Sequence, residues 1–241
     1  HERADLSCLR RSMSSGELLS AQLHEEWVTT FGSEVVNRFG SAESGMGYLC
    51  NRPGGVRPGS SGTVTPMTEV KLVDEKGQEV PIGQPGMLMV RVEAAGLYYV
   101  REQEKTRTTF LGNGWINTGD IFTQDENDYF WYAGRANEMI KVSGVWVSPL
   151  EIEQSLQDCA VVKECAVMGI GDKDGLIKIK AFVVPREEAK DSAAMLDELK
   201  EFCKRKLAPH KFPRSIEFIR ELPKTGSGKI DRGLLRKRVL Q

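Results

Sequence analysis

Lys229 stands just behind Gly226 and Gly228 in PKTGSGKIDR, residues 223 to 232, and an ammonium group beside small residues is one way a chain grips phosphate. A true phosphate loop, GxxxxGK[ST], needs its first glycine so that backbone N–H groups can wrap the anion, and its closing hydroxyl to bind magnesium. Here Pro223 occupies the glycine position and Ile230 replaces the hydroxyl. The stretch therefore reads as a flexible Gly226-Ser227-Gly228 turn presenting one ammonium group; the alternative is an ordinary surface turn that opens a basic helix. Other motifs fail on count. GIGDKDG (169–175) misses the dinucleotide GxGxxG by one residue, and DENDY (125–129) lacks the glycine and closing glutamate of a calcium loop, so both read as turns. His1, His24 and His210 are too scattered to suggest a triad or metal cluster and read as surface or packing residues. The five cysteines are odd in number and form no CxxC pair, which argues against a disulfide framework or zinc ribbon and fits a reducing, cytoplasmic compartment.

A chain of 241 residues with 40% hydrophobic and 28% charged residues suits a soluble globular protein of one large or two modest domains. Its net charge of −1 argues against a nucleic-acid partner. No apolar run approaches the ~20 residues of a spanning helix. The opening HERADLSCLRR has no signal-peptide core and reads as a chain entered in mid-domain.

These residues must be positioned by two kinds of element. ELLSAQLHEEWVTTF (17–31) places Leu18, Leu19, Leu23, Trp27 and Val28 on one helical face, with Ser14-Ser15 as N-cap and Gly32 as stop. EVVNRF then reads as a strand ending at Gly40, an order that suggests the edge of a parallel sheet. NRPGGVRPGSSG (51–62) is a loop by composition. TEVKLVD, GMLMVRVE, GWINTGD and YFWYAGR read as antiparallel strands of a small barrel or sandwich. A boundary near 134–138 precedes an α+β unit: a hairpin in MIKVSGVWVS turning at Ser143-Gly144, a helix capped by Ser148-Pro149, strands in CAVMGI and IKIKAFVVP, a helix in AAMLDELKEFCKRKLA, and a last strand in SIEFIREL.

Four stretches, RFGSAES (38–44), NTGD (117–120), GRANEMIKVSG (134–144) and PKTGSGKIDR (223–232), stand in the order and spacing that resembles the adenylate-forming superfamily of acyl-CoA ligases, luciferases and peptide-synthetase adenylation domains. NRPGGVRPGSSG and KVSGVWVSPLEIE resemble aryl-CoA ligases of the benzoate type, with medium-chain acyl-CoA synthetases as near competitor. The resemblance implies an α/β plus α+β fold: a partial large domain over 1–136, with an α/β edge at 1–45 and a small barrel-like β subdomain at 46–136, then a compact lid domain at 137–241. It implies ATP-dependent activation of a carboxylic acid through an acyl-adenylate, then transfer to coenzyme A. The superfamily's triphosphate loop is not found in this sequence, so the chain by itself is expected to be inactive.

By the same resemblance Lys229 reaches the α-phosphate and substrate carboxylate, Glu43 holds Mg²⁺, and Phe39, beside Gly40, stacks on adenine. Asp120 binds the ribose hydroxyls and Arg135 contacts the ribose and phosphate side, or else forms a salt bridge to Asp120 or Glu138. Asn137 is the hinge of a swinging lid, while Lys141, Ser143, Gly144 and Trp146 line the pantetheine path of CoA, with a plain core position as the alternative for Trp146. Two departures stand out: Asn137 replaces the usual Asp or Lys, and Ala42 replaces a Thr whose hydroxyl contacts phosphate. Rival readings are a carrier-loading adenylation domain and a module that binds nucleotide or CoA without catalysis. A homodimer is compatible with each.

Overall fold

A computed structural model describes residues 8–142, 145–171, 176–186, 192–226 and 228–239. The chain divides into two compact units, 1–136 and 137–241.

In the first unit, β1 (Ser12–Ser15) pairs in parallel with β2 (Val35–Ser41) across α1 (Ala21–Phe31). The expected strand, helix and strand are thus present, with a shifted start. Ser20, not Ser14-Ser15, caps the helix, its hydroxyl accepting from Leu23 N at 3.1 Å; Gly32 ends it in the left-handed region. Leu18 and Leu19 precede the helix and Leu23 is exposed, while His24 turns inward, because sheet pairing claims residues 12–15 before a helix can form there. The sheet continues through β3 (Met46–Cys50) and β4 (Thr63–Val64), both antiparallel, so it runs past the expected edge at residue 45. The intervening loop is braced from within: Asn37 and Asn51 both donate to the Ser60 carbonyl, at 3.1 and 3.0 Å.

A second sheet holds β5 (Thr68–Val73), β6 (Gly86–Val92), β7 (Phe110–Gly112), β8 (Trp115–Gln124) and β9 (Phe130–Arg135), with α2 (Gln103–Thr109) between β6 and β7. Its order is β5-β6-β8-β7, with β9 also on β8. The sheet is open, not a barrel: the ten-residue β8 gives one edge to β6 and divides the other between β7 and β9. Tyr48 and Leu49 of the first sheet pack with Leu88, Val90, Ile116 and Phe122 of the second into one core. Period-two alternation is clean in β6, where every second residue from Gly86 to Val92 is buried.

The second unit opens in a 3₁₀ turn (Ala136–Glu138) that spans the boundary, followed by the antiparallel pair β10 (Ile140–Val142) and β11 (Val145–Val147). The expected hairpin turn at Ser143-Gly144 lies outside the described residues. Then come α3 (Pro149–Gln157), β12 (Val162–Gly171), β13 (Ile177–Pro185), α4 (Ser192–Lys206), β14 (Ser215–Phe218) and α5 (Arg232–Val239). Ser148 caps α3 with Pro149 at its first position, as the sequence predicts. The sheet β12-β13-β14 is covered on both faces. Ile152, Leu156, Leu199 and Cys203 of α3 and α4 bury one side with Val167, Ala181 and Val183; Leu222 and Leu235 bury the other with Ala166, Met168 and Phe182. All five cysteines are free thiols.

Gly62 joins the two sheets of the first unit, bridging to Phe130 with φ +88°; a Cβ there would lie 2.0 Å from the Cys50 carbonyl carbon. Neither the strained φ nor backbone can yield cheaply. Gly62→Ala is expected to cost about 3 kcal/mol or more, read as a lowered urea midpoint. An unchanged midpoint would refute the tight junction.

Candidate functional site

The NTGD stretch is a bulge in β8. Met87 faces Ile121 and Met89 faces Asn117, so Leu88 alone opposes Thr118, Gly119 and Asp120. Local polar groups make that geometry. Asn117 Oδ1 accepts from Gly119 N at 3.0 Å, Thr118 Oγ1 donates to Leu88 O at 2.9 Å and accepts from Asp120 N at 3.1 Å, and Gly119 supplies φ +71°. The side-chain hydrogen bonds replace ladder bonds that the extra residues lose. Asp120 is left 2% exposed, on the same face as Ile116 and Phe122.

Arg135, at the end of β9, stands across from Asp120 in the ladder. Its Nη1 donates to Thr118 O at 2.9 Å and its Nε lies 3.2 Å from Asp120 Oδ1, yet half of the side chain is in solvent. The Nε contact lacks hydrogen-bond alignment, so Oδ1 is a buried acceptor with no hydrogen-bond donor among the described residues. Burial pushes the Asp120 carboxyl up to about 6, against the downward pull of Arg135, Thr118 and Tyr132. The salt bridge to Asp120 considered from sequence is thus formed, and it leaves the carboxylate short of partners.

Glu43 lies in the tight turn that follows β2. Ser44, fully buried, donates to both Ser41 O and Met46 O, at 2.8 and 2.6 Å, and Gly45 completes the turn at φ +63°. Ser44 is therefore committed and cannot stand in for the hydroxyl that Ala42 lacks. Burial raises the Glu43 carboxyl, but the Tyr99 hydroxyl, the Glu43 and Ser41 donors and the charge of Lys105 together hold it below its ordinary value. Tyr99 Oη donates to Glu43 Oε1 from a loop 56 residues away, and Lys105 Nζ lies 4.2 Å from the Tyr99 ring centroid. Among the described residues no three metal-ligating side chains converge. A single ionised carboxylate still fits Mg²⁺, which takes one or two protein oxygens and completes its shell with water and phosphate.

Phe39 is half-buried, its ring 5.1, 5.4 and 5.9 Å from Phe122, Tyr132 and Tyr48, so it belongs to the core as well as to the edge beside exposed Gly40. Tyr132 links this cluster to Asp120. In the second unit, Trp146 is 44% exposed, which rules out the plain core position; Lys141 Nζ lies 5.0 Å from its ring centroid, on the paired strand. Asn137 is exposed in the 3₁₀ turn. Lys229 is exposed on a short hairpin closed by Thr225 N donating to Lys229 O at 2.7 Å and Gly228 N to Thr225 O at 2.9 Å. These hydrogen bonds flank the expected glycine turn, whose Ser227 lies outside the described residues. Sequence reasoning missed Tyr99, Thr118 and Tyr132; only NTGD itself carried a signal, an Asx residue and a hydroxyl flanking glycine.

The first unit therefore gathers an aromatic cluster, a buried acceptor with a half-exposed guanidinium, and an ionised carboxylate, a set of groups suited to a nucleotide and its cation. The AMP-binding enzyme family matches residues 1–100, and the AMP-binding enzyme C-terminal domain matches residues 151–229. The chain belongs to this adenylate-forming family. It is 43% identical to 4-hydroxybenzoate–CoA/benzoate–CoA ligase of Rhodopseudomonas palustris, over 96% of this chain and 43% of that protein. It is 40% identical to benzoate–CoA ligase of Thauera aromatica, over 95% and 43%. The crystal structure of the anthranilate CoA ligase AuaEII in complex with anthranoyl-AMP superimposes with TM-score 0.88 at 44% identity, covering 97% of this chain and 45% of that one. The chain spans about half the length of the curated relatives it matches.

The Asp120 carboxyl binds its proton more tightly folded than unfolded, about 6 against 3.8. Its stabilising contribution is therefore complete below pH ~4 and lost as pH rises to ~6, a cost on the order of 3 kcal/mol at pH 7. Asp120→Asn is expected to unfold at higher denaturant than wild type at pH 7, the gap closing toward pH 4. A gap independent of pH would contradict the assignment.

Proposed function

We infer that this chain is the C-terminal portion of an AMP-forming acid:CoA ligase acting on an aromatic acid of the benzoate class. Residues 1–136 are then the end of its large domain and 137–241 its lid. The observation that carries this reading is the buried Asp120 acceptor under a half-exposed guanidinium, a stability cost that a ribose diol would relieve. The benzoate-type ligases among its relatives support the aromatic class, and the anthranoyl-AMP held by one of them supports the acyl-adenylate.

In the first half-reaction a carboxylate oxygen attacks the α-phosphorus of ATP and pyrophosphate leaves; in the second the CoA thiol attacks the acyl carbon and AMP leaves. Both partners of the first step are anions, so charge neutralisation dominates. Asp120 accepts from the ribose hydroxyls, and Arg135 turns its solvent-facing guanidinium toward ribose and phosphate. Phe39, at the edge of its aromatic cluster, offers the base a ring face beside Gly40. Glu43, kept ionised through the Tyr99 hydrogen bond, would hold Mg²⁺, which supplies charge neutralisation on the phosphates when bound.

Lys229 neutralises the α-phosphate and acid. An ammonium ~4 Å from a unit charge gains ~1 kcal/mol in water and ~4 at an effective dielectric of 20, or roughly fivefold against a thousandfold in rate. Only a closed site gives the larger figure, which is why a lid turning at Asn137 is part of this reading. In the other orientation Lys141 and Trp146 line the path of CoA, and the resemblance adds Ser143 and Gly144, which lie outside the described residues. The exposed Trp146 with a cation over its ring suits a surface that becomes covered. ATP and CoA are cosubstrates, and a cytoplasmic location is part of this reading; among the described residues no helix is long and apolar enough to cross a membrane.

Acid-dependent ATP–pyrophosphate exchange tests the reading. The chain alone should be inactive, and a version extended upstream to the relatives' length should exchange with benzoate-type acids. In that version Lys229→Ala should depress exchange ~100-fold or more and leave thioester formation from preformed adenylate within ~3-fold. Activity in neither form would favour a non-catalytic binding module, and equal losses in both half-reactions would remove Lys229 from its role.

A further inference from the structure

Arg232, three residues beyond Lys229, is the meeting point of three elements of the second unit. Its Nη2 donates to both carboxylate oxygens of Glu153 on α3, at 2.7 and 2.9 Å. Its Nη1 donates to the Val167 carbonyl on β12 at 2.8 Å, and its Nε lies 3.3 Å from Glu138 Oε2 in the 3₁₀ turn. Glu153 is buried and also accepts from Val167 N at 2.6 Å. A forked, planar guanidinium can satisfy these directions together, which a point-like ammonium cannot.

The segment joining Arg232 to Lys229 is held by backbone hydrogen bonds and packing. Asp231 N donates to Pro223 O at 2.8 Å, closing the hairpin base, and Asp231 Oδ1 accepts from Leu234 N at 2.9 Å, capping α5. Ile230 packs against the core beneath. On the other side of the cation, Glu138 immediately follows Asn137, the first residue of the second unit.

On these grounds we propose that Arg232 is the positioning residue of Lys229, and that its contact with Glu138 ties the lysine hairpin to the residues where the lid turns. This rests on the ligase reading for its catalytic consequence, while the mechanical coupling stands without it. A hydrogen-bonded hairpin three residues from the Arg232–Glu153 pair moves as one piece with α3 and β12. Glu138 then fixes the hairpin relative to the start of the unit, so rotation at Asn137 is delivered to the ammonium without slack. A displacement of ~1 Å at a reacting group costs on the order of 100-fold in rate.

Two measurements test it. In the 241-residue chain, amide hydrogen exchange of Arg232→Lys should be at least ~10-fold faster at Thr225, Gly228 and Asp231, with the β12–β13 ladder unchanged. In the upstream-extended enzyme the same variant should lose up to ~100-fold in kcat for pyrophosphate exchange, with KM for ATP and acid and thioester formation from preformed adenylate within ~2-fold. Equal losses in both half-reactions, or a folded variant with unchanged hairpin exchange, would overturn the proposal. Should Arg232→Lys fail to fold, Glu138→Gln decides: it spares the buried pair and should lower pyrophosphate exchange ~5-fold with the same asymmetry. A symmetric loss, or none, overturns the proposal. An extended wild-type enzyme without exchange would remove the ligase reading alone, leaving amide exchange to decide the coupling.

Discussion

Burying a carboxylate with too few donors is costly, and the first unit does so at Asp120. Desolvation of the charged form outweighs the pull of Arg135, because the guanidinium stands half in water and is out of line with Oδ1. Much of the surrounding structure follows from holding that arrangement. The bulge that sets three residues of β8 against Leu88 swings Asp120 inward, and the hydroxyl and amide of Thr118 and Asn117 take over the bonds that the ladder gives up. Tyr132 brings the aromatic cluster around Phe39 into register with the carboxylate. A fold optimised for stability alone would replace such a group with an apolar one.

The second unit solves the opposite problem. Glu153 is also buried, yet it is met by a backbone amide and by Arg232 Nη2, which donates to both of its oxygens. The first carboxylate keeps one oxygen without a donor among the described residues, while both oxygens of the second are met. Burial raises the Glu153 carboxyl, with the Arg232 charge and hydrogen bonds and the Val167 amide opposing it. Lys229, three residues before Arg232, is exposed, and the worth of any ammonium beside an anion rises steeply as water is excluded.

Much of this was legible beforehand. Alternation in TEVKLVD and GMLMVRVE, the Ser148-Pro149 helix start and the amphipathic run of α4 follow local rules, and the structure forms them as elements. The misplaced start of α1 shows where such rules stop, since Ser14 and Ser15 are good caps but pair with Asn37 and Arg38 in a parallel ladder that no local window reveals. The open second sheet likewise depends on how one long strand shares its edges, and α2, seven residues of mostly polar character, gave no periodic signal.

Residue types and spacing by themselves determined that the chain holds a cationic turn near its end, a carboxylate after Gly119 and four motifs in one order, because those features are local to the backbone. Tertiary structure alone decided which charges are met. Asp120 Oδ1 has no hydrogen-bond donor among the described residues, Glu43 gains the Tyr99 hydroxyl from 56 residues away, and Arg232 joins Glu138 to Glu153. Charge compensation depends on distance in space and on exclusion of water, and both arise only when segments far apart in sequence pack together.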